Sequence, residues 1–140
     1  MQVKRAGAAA AMIGRHIYVV GGVEDGNVPT AAVERFDCVS FTEGLEEGGG
    51  GGGGGGCGDA HGAGAASASA KIWEVMAPMK EARTDFALAS MGGKLYAISG
   101  DTSGTKTMTD KVEVYDPFTD AWTVLEGDAG RLHTARCFCR

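Results

Sequence analysis

Residues 100–107 resemble a phosphate-binding loop, because glycines flank hydroxyl-bearing residues ahead of a lysine. That motif needs glycine directly before the lysine and a helix after the loop. Here Thr105 precedes Lys106, and the apolar residues of 111–116 alternate with polar ones as in a β-strand. We therefore exclude a phosphate-binding loop of this type.

A second candidate is a cluster of metal-ligand residue types near the end of the sequence. His133, Cys137 and Cys139 share one parity and so one face of a predicted strand. Zinc sites usually draw ligands from turns or from separate segments, so we predict no metal site here. His16 and His61 have no carboxylate or nucleophile arranged beside them for acid–base or nucleophilic catalysis. The prediction is a chain with no catalytic residues, no metal and no cofactor.

The net charge of -5 argues against a nucleic-acid or anionic-membrane surface, which would need a basic patch. Four of the five net negative charges fall in residues 41–70, which contain nine consecutive glycines and no Lys or Arg. A glycine tract of this kind cannot bury enough apolar surface to order itself. We expect a disordered insert, interpreted as a tolerated low-complexity expansion in preference to an acidic tether.

The four cysteines, which include Cys38 and Cys57, are too few for a small disulfide framework. We expect free thiols in a reducing compartment, and therefore an intracellular, cytoplasmic protein. No run approaches the 18 or so apolar residues that a membrane span needs. The start of the chain, from Lys4 to Ile13, has the basic and apolar parts of a short signal peptide, but it also matches an internal repeat and is assigned to that repeat.

Residues 83–125 contain one complete structural unit. Four short apolar runs are separated by Gly92-Gly93, by a polar loop at 101–110 and by a turn at 117–120. Runs of this length and composition predict strands, and short connections between them predict an antiparallel meander.

The rest of the chain repeats this unit. A shift of 78 places residues 5–22 on 83–100, and a shift of 79 places 33–37 on 112–116. Trp73 and Trp122 are 49 residues apart, and at a similar spacing of 48 Arg83 aligns with Arg131. A period near 50 with four strands per unit is typical of a β-propeller blade.

The typed positions resemble the kelch family. They are a glycine pair after the second strand, an aromatic–Asp pair on the third strand and a tryptophan on the fourth. In this sequence they are Gly21, Gly22, Phe36, Asp37, Trp73, Ser99, Gly100, Tyr115, Asp116 and Trp122. Ser99 and Phe36 depart from the family's glycine and tyrosine. We assign these positions to the scaffold: the glycines for close approach between blades, the tryptophans for packing between sheets.

The resemblance implies an all-β chain, a partial β-propeller made of four-stranded antiparallel kelch blades with a disordered Gly-rich insert. Residues 5–76 form the first blade, interrupted by 41–70 between its third and fourth strands. Residues 77–126 form the second blade, and 127–140 begin a third. Because a propeller closes with about 4–8 blades, further blades or self-association are needed to complete the ring. An arginine before each first strand, Arg5, Arg83 or Arg131, is expected to contact a carboxylate such as Glu34 or Glu113.

Kelch relatives present a ring of loops to a protein or peptide, and some link a substrate to a ubiquitin ligase while others bind actin. The resemblance thus implies a non-catalytic protein–protein interaction scaffold that binds neither nucleic acid nor membrane. The alternative is a propeller enzyme of the galactose-oxidase or sugar-isomerase type, with its site in blades outside this sequence. The candidate partner-binding residues lie in the loops after the glycine-ended strands and in the connections between blades: Glu24, Asp25, Asn27, Arg83, Asp85, Asp101, Ser103, Thr105, Lys106, Arg131 and His133.

Overall fold

The structure is a computed structural model that describes residues 4–38 and 73–136. It contains two four-stranded antiparallel sheets in sequential strand order. The first sheet, blade 1, comprises β1 (Ala9–Ile13), β2 (His16–Val20), β3 (Val33–Asp37) and β4 (Trp73–Met76). The second, blade 2, comprises β5 (Ala87–Met91), β6 (Lys94–Ile98), β7 (Val112–Asp116) and β8 (Ala121–Val124). The predicted all-β architecture of four-stranded antiparallel blades is confirmed.

Several sequence predictions concern residues outside the described part of the chain. They are the disordered insert at 41–70 with Cys57 and His61, and the two cysteines at 137 and 139. Cys38 is described, and it is a partly buried free thiol. Within the described segments, no helix has the length and apolar character needed to cross a membrane.

The hydrophobic core lies between the two blades. Alternation along each strand places Leu95, Tyr115 and Trp122 in one row of paired positions on the same face of blade 2. The row packs against Tyr18 of blade 1, whose ring centroid lies 5.7 Å from that of Tyr115 in an edge-on arrangement. All four side chains are at most 3% exposed. The blades therefore stabilise each other, because each buries its apolar face against its neighbour.

The predicted close approach at the glycine pair is confirmed. Gly21 has a φ of 61°, and a Cβ there would lie 2.5 Å from the carbonyl oxygen of Arg83. Ser99 takes the same backbone conformation in blade 2, with a φ of 60°. Its hydroxyl lies 2.8 Å from the Thr109 carbonyl oxygen and 2.5 Å from that of Arg136, and it accepts from the Arg136 N–H. The departure from glycine therefore adds a polar anchor for the chain that leaves blade 2.

A buried arginine–glutamate pair recurs in both blades, as expected for Arg5 and Arg83. Arg83 Nη2 donates to Glu113 Oε1 at 2.5 Å, and both side chains are fully buried. Its Nη1 donates to the carbonyl oxygens of Ser99 and Lys111 at 2.9 and 3.2 Å. Arg5 makes the equivalent contact with Glu34 at 2.6 Å. The pair thus ties the segment that enters each blade to the end of that blade's second strand.

Glu113 also connects the blade to the segment that precedes it. Its carboxylate accepts from the backbone N–H groups of Lys80 and Glu81 at 2.7 and 3.1 Å. The same segment bonds back to blade 1, because the Met79 N–H donates to the Ala31 carbonyl at 3.0 Å. We call residues 79–83 the crossing segment, since it is bonded to both blades.

The predicted alignment of Arg131 with Arg83 is wrong, and Arg136 takes the equivalent position. The Gly100 N–H donates to the Arg136 carbonyl. In the same way, the Gly22 N–H of blade 1 donates to the Arg83 carbonyl. Arg131 instead lies 3.5 Å from the exposed Asp110 carboxylate.

A longer connection causes this displacement. Two residues separate Met76 from Met79, whereas six separate Leu125 from Leu132. The extra length folds into a 3-10 turn at Asp128–Gly130. Leu132 then donates to the Asp110 carbonyl, as Met79 donates to that of Ala31.

The aromatic positions complete the scaffold of blade 2. The Trp122 indole N–H donates to the Ala77 carbonyl at 3.0 Å, and the Tyr115 hydroxyl donates to Asp120 at 2.7 Å. Burial and this carboxylate raise the pKa of Tyr115 far above its usual range. In blade 1, Phe36 has no hydroxyl, but it packs on Trp73 with ring centroids 5.0 Å apart, as Tyr115 packs on Trp122 at 5.1 Å.

Candidate functional site

Two loops from neighbouring blades meet at one end of the sheets. They connect β2 to β3 and β6 to β7, and both follow the glycine-ended strands. Asn27 Nδ2 donates to the Gly104 carbonyl at 3.4 Å, and a Cβ at Gly104 would lie 2.5 Å from the Asn27 carbonyl oxygen. The loops are thus packed side by side. We call the solvent-facing side chains of residues 24–28 and 103–107 the loop surface.

Asp101 organises the second loop from the inside. Its carboxylate accepts from the backbone N–H groups of Ser103 at 3.0 Å and Lys106 at 2.7 Å, and it is bonded to the Ser103 hydroxyl. Burial opposes the charge of this carboxylate, but the backbone hydrogen bonds lower the pKa of Asp101 below its ordinary value. Because the residue is only 6% exposed, it shapes the loop but offers no side chain to a partner.

The residues around Asp101 face solvent. Ser103, Thr105 and Lys106 are exposed, and the Ser103 and Thr105 hydroxyls lie 2.7 Å apart. Lys106 has a φ of 71°, a conformation that is costly for a residue with a side chain and is held here by the Asp101 hydrogen bond. The loop therefore presents its polar groups in a fixed arrangement.

Blade 1 contributes the acidic part of the loop surface. Asp25 and Asn27 are exposed, and Glu24 is partly buried. Val28 is 64% exposed beside them, and the sequence prediction missed it because it considered polar residues only. The sequence did contain a signal for this exposure, because Val28 is an apolar residue that stands between turn residues.

The remaining candidates divide by exposure. Arg83 is fully buried in its pair with Glu113, so its inclusion among the partner-binding residues is wrong. Asp85, Arg131 and His133 are exposed at the connections between blades. Asp85 has a φ of 52°, and its N–H donates to the Gly7 carbonyl of blade 1.

A cavity of about 560 Å³ adjoins Arg131 at the outer edge of blade 2. The longer connection after β8 forms one wall, with Glu126 and Asp128, and Lys111 lines the other. Lys111 and Arg131 pair with Glu81 and Asp110 at 3.5 Å, and these exposed pairs contribute little stability. The cavity thus lies at the end of blade 2 where β7 begins and β8 ends.

In residues 4–38 and 73–136, no three His, Cys, Asp or Glu side chains converge to hold a metal ion. The geometry that the described residues do provide is a set of fixed loops, with side chains able to bind another polypeptide.

Comparison with known proteins agrees with this geometry. The profile of the Kelch motif matches residues 4–42 and 82–127, which is more than half of the chain. The chain therefore belongs to the kelch-repeat family.

Individual relatives match over shorter stretches. "F-box protein AFR" of Arabidopsis thaliana is 39% identical over 54 residues, which is 39% of this chain and 14% of that protein. "Kelch-like protein 21" of Homo sapiens is 42% identical over 60 residues, covering 43% of this chain and 9% of the relative. "Kelch-like protein 30" of Mus musculus is 47% identical over 52 residues, covering 36% and 8% respectively. The chain thus spans only a small part of the length of the curated relatives that it matches.

Proposed function

We propose that this chain is a non-catalytic protein–protein interaction scaffold, a part of a kelch propeller whose loop surface binds a protein or peptide partner. The observation that carries the proposal is the contact between Asn27 and Gly104, which joins loops of two blades into one surface. A surface built across two blades is wide enough to contact several partner residues at once. Its loops are already folded, so less conformational entropy is lost on binding.

The charges of the loop surface favour a partner with a defined orientation. Glu24 and Asp25 make the blade 1 part acidic, whereas Lys106 makes the blade 2 part basic. Complementary charges on the partner would fix its direction across the two loops. Val28 supplies an exposed apolar contact next to the acidic part.

The more specific role that we propose is substrate recognition in an adaptor of a ubiquitin ligase, with actin binding as the second candidate. Support for the adaptor role comes from the match to a protein named an F-box protein and from the matches to kelch-like proteins. The proposal includes an intracellular, cytoplasmic location and further blades or self-association to close the ring.

A capture experiment tests the loop surface. The tagged 140-residue chain is compared with Lys106→Ala, Asp25→Ala and Asp101→Ala variants, and bound proteins are quantified by mass spectrometry. Lys106→Ala and Asp25→Ala remove exposed side chains, whereas Asp101→Ala removes the group that orders the loop. We expect each to lower recovery of the same partner by about fivefold or more, the loss of one important interface contact.

The matched control is Lys94→Ala, which removes another exposed lysine from the opposite end of blade 2 and should leave recovery unchanged. Circular dichroism establishes that each variant is folded. Equal recovery with folded Lys106→Ala and Asp25→Ala variants would contradict the proposal. A recovered partner carrying ubiquitin-ligase subunits would support the adaptor role, and recovery of actin alone would support the second candidate.

A further inference from the structure

Two methionines lie exposed at the end of the blades opposite the loop surface. Met12 is the fourth residue of β1 and Met91 is the last residue of β5, so both adjoin the tight turns that follow these strands. Their side chains are 51% and 67% exposed. Both line one crevice of about 260 Å³, together with Ser90 and the glycines of the two turns. We call Met12 and Met91 the turn-end methionines.

The other methionines in the described segments are shielded by packing. Met79 of the crossing segment is 4% exposed, and its Cε would lie 3.1 Å from a Cβ placed at Gly21. Met76 and Met108 are partly buried, and Met76 packs against the hydrophobic core. The fold therefore divides these thioethers into an exposed pair and a shielded group.

The exposure of the turn-end methionines does not depend on an uncovered blade face. Ser90 of β5 occupies the position that Met12 has in β1. It pairs with Leu95 on the face of blade 2 that blade 1 covers, and it is still exposed. Ile13, the equivalent of Met91, is only partly buried although blade 2 packs on its face of blade 1. A neighbouring blade thus leaves this end of each sheet open to solvent.

An exposed thioether is open to reaction with a peroxide, which converts methionine to methionine sulfoxide. We propose that the turn-end methionines are a modification site at which hydrogen peroxide oxidises both thioethers to sulfoxides. The sulfur lone pair forms a bond to one peroxide oxygen while the O–O bond breaks. The proton on the transferred oxygen passes to the departing hydroxide, which leaves as water. The sulfur is oxidised and the peroxide is reduced, so no further reactant is needed.

Oxidation at these two positions should change the surface without opening the fold. A sulfoxide is polar, so the lining of the crevice becomes polar where two thioethers had made it apolar. Neither side chain belongs to the hydrophobic core that the described residues form. Methionine sulfoxide reductases reverse the reaction, which makes the modification responsive to the local peroxide level. The site is separate from the loop surface, which lies at the other end of the sheets.

Timed oxidation of the full 140-residue chain tests the proposal. The chain is treated with hydrogen peroxide, quenched with excess free methionine, digested with trypsin and analysed by mass spectrometry. Trypsin places Met12 in peptide 6–15 and Met91 in peptide 84–94, and fragmentation locates Met79 within peptide 72–80. We expect the turn-end methionines to gain one oxygen atom each at least about tenfold faster than Met79, because oxidation of a buried thioether requires local opening.

Two controls separate the effect of the fold from the intrinsic reactivity of each position. In concentrated urea, the oxidation rates of Met12, Met79 and Met91 should converge. In the folded chain, Met12→Leu and Met91→Leu should each abolish uptake of one oxygen atom and leave the rate at the other position unchanged, since leucine conserves the volume of methionine. Circular dichroism of the chain oxidised at both positions should match that of the untreated chain.

Three results would overturn the proposal. They are equal oxidation rates at Met79 and the turn-end methionines in the folded chain, no reaction at these two positions under conditions that oxidise N-acetylmethionine amide, and unfolding of the chain when only these two positions are oxidised. The capture experiment on the loop surface uses other residues and another readout, so the two proposals succeed or fail independently.

Discussion

Replacement of Arg83 by methionine tests the role of the buried pair. The Arg83 guanidinium is fully buried and donates to Glu113, to Ser99 and to Lys111. Methionine fills a similar elongated space but donates no hydrogen bond. The Glu113 carboxylate then remains in the interior with its charge uncompensated.

The magnitude follows from what remains around Glu113. Removing one partner of a buried ion pair costs about 3–5 kcal/mol. The carboxylate keeps its hydrogen bonds from the Lys80 and Glu81 N–H groups, which places the cost near the lower bound. We expect a loss of about 3–4 kcal/mol, a large part of the typical stability of about 5–15 kcal/mol.

Equilibrium unfolding in urea measures this loss. Fluorescence in a Trp73→Phe background reports on the buried Trp122 alone. With a denaturant slope of about 2 kcal/mol/M, the midpoint should fall by about 1.5–2 M. Lys94→Met, which breaks an exposed pair with Asp116, is the control and should cost at most about 1 kcal/mol.

A double variant separates the cost of an uncompensated charge from the cost of changing the volume that the pair fills. Arg83→Met combined with Glu113→Leu removes both charges and should recover part of the loss, because no uncompensated charge remains. An Arg83→Met loss below about 1 kcal/mol would refute the account. The carboxylate would then be satisfied by the backbone of the crossing segment without the arginine.

Three further predictions concern pH dependence and the glycine pair. Asp101→Asn should destabilise the chain by about 1–2 kcal/mol at pH 7, from the weakened hydrogen bonds to a charged acceptor. Because the pKa of Asp101 is lowered in the folded state, this contribution is present above the ordinary pKa near 3.8, and the difference between the proteins should shrink as the pH falls through the folded value. Urea midpoints at pH 7 and pH 3 measure it, and a constant difference would contradict it. The pKa of His16 is also lowered, so the unfolded chain takes up a proton more readily than the folded one, and stability should fall as the pH drops below 6.5. His16→Gln should reduce the change in midpoint between pH 7.5 and pH 5.5, and an unchanged dependence would exclude His16 as its source. Gly100→Ala should cost about 2–4 kcal/mol, since its φ is 104° and its Cβ would lie 2.5 Å from that of Phe86. Gly92→Ala is the matched control, with a φ of 59° and open space, and thermal unfolding should show it losing only about 1 kcal/mol; equal losses would refute the packing argument.

The strands and the packing of one blade on the next could be predicted from the sequence, because the signals for both are local. Alternation in β6 and β7 sets which side chains are buried, and the glycine pair marks the end of a strand in each unit. The pairs of Arg5 and Arg83 with their glutamates followed from the repeat alone. Physical constraints of this kind act within one repeat of about 50 residues. Because the repeat recurs, an assignment made in one unit supports the same assignment in the other.

The position of the third repeat could not be derived in the same way. Arg131 and Arg136 both suit the expected arginine, and only the hydrogen bonds of Leu132 and Arg136 decide between them. The orientation of Asp101 was equally inaccessible, because a loop aspartate can face solvent or bind its own backbone.

The crossing segment has a consequence for how the protein comes apart. Residues 79–83 are bonded to blade 1 through Met79 and to blade 2 through Glu113, so neither sheet can open without exposing groups of the other. Each blade therefore lacks a boundary of its own, and the two should melt in one cooperative step. For protein engineering, the unit to transfer is a blade together with the segment that enters it. A cut at the end of a fourth strand would separate the crossing segment from one of the two blades to which it is bonded.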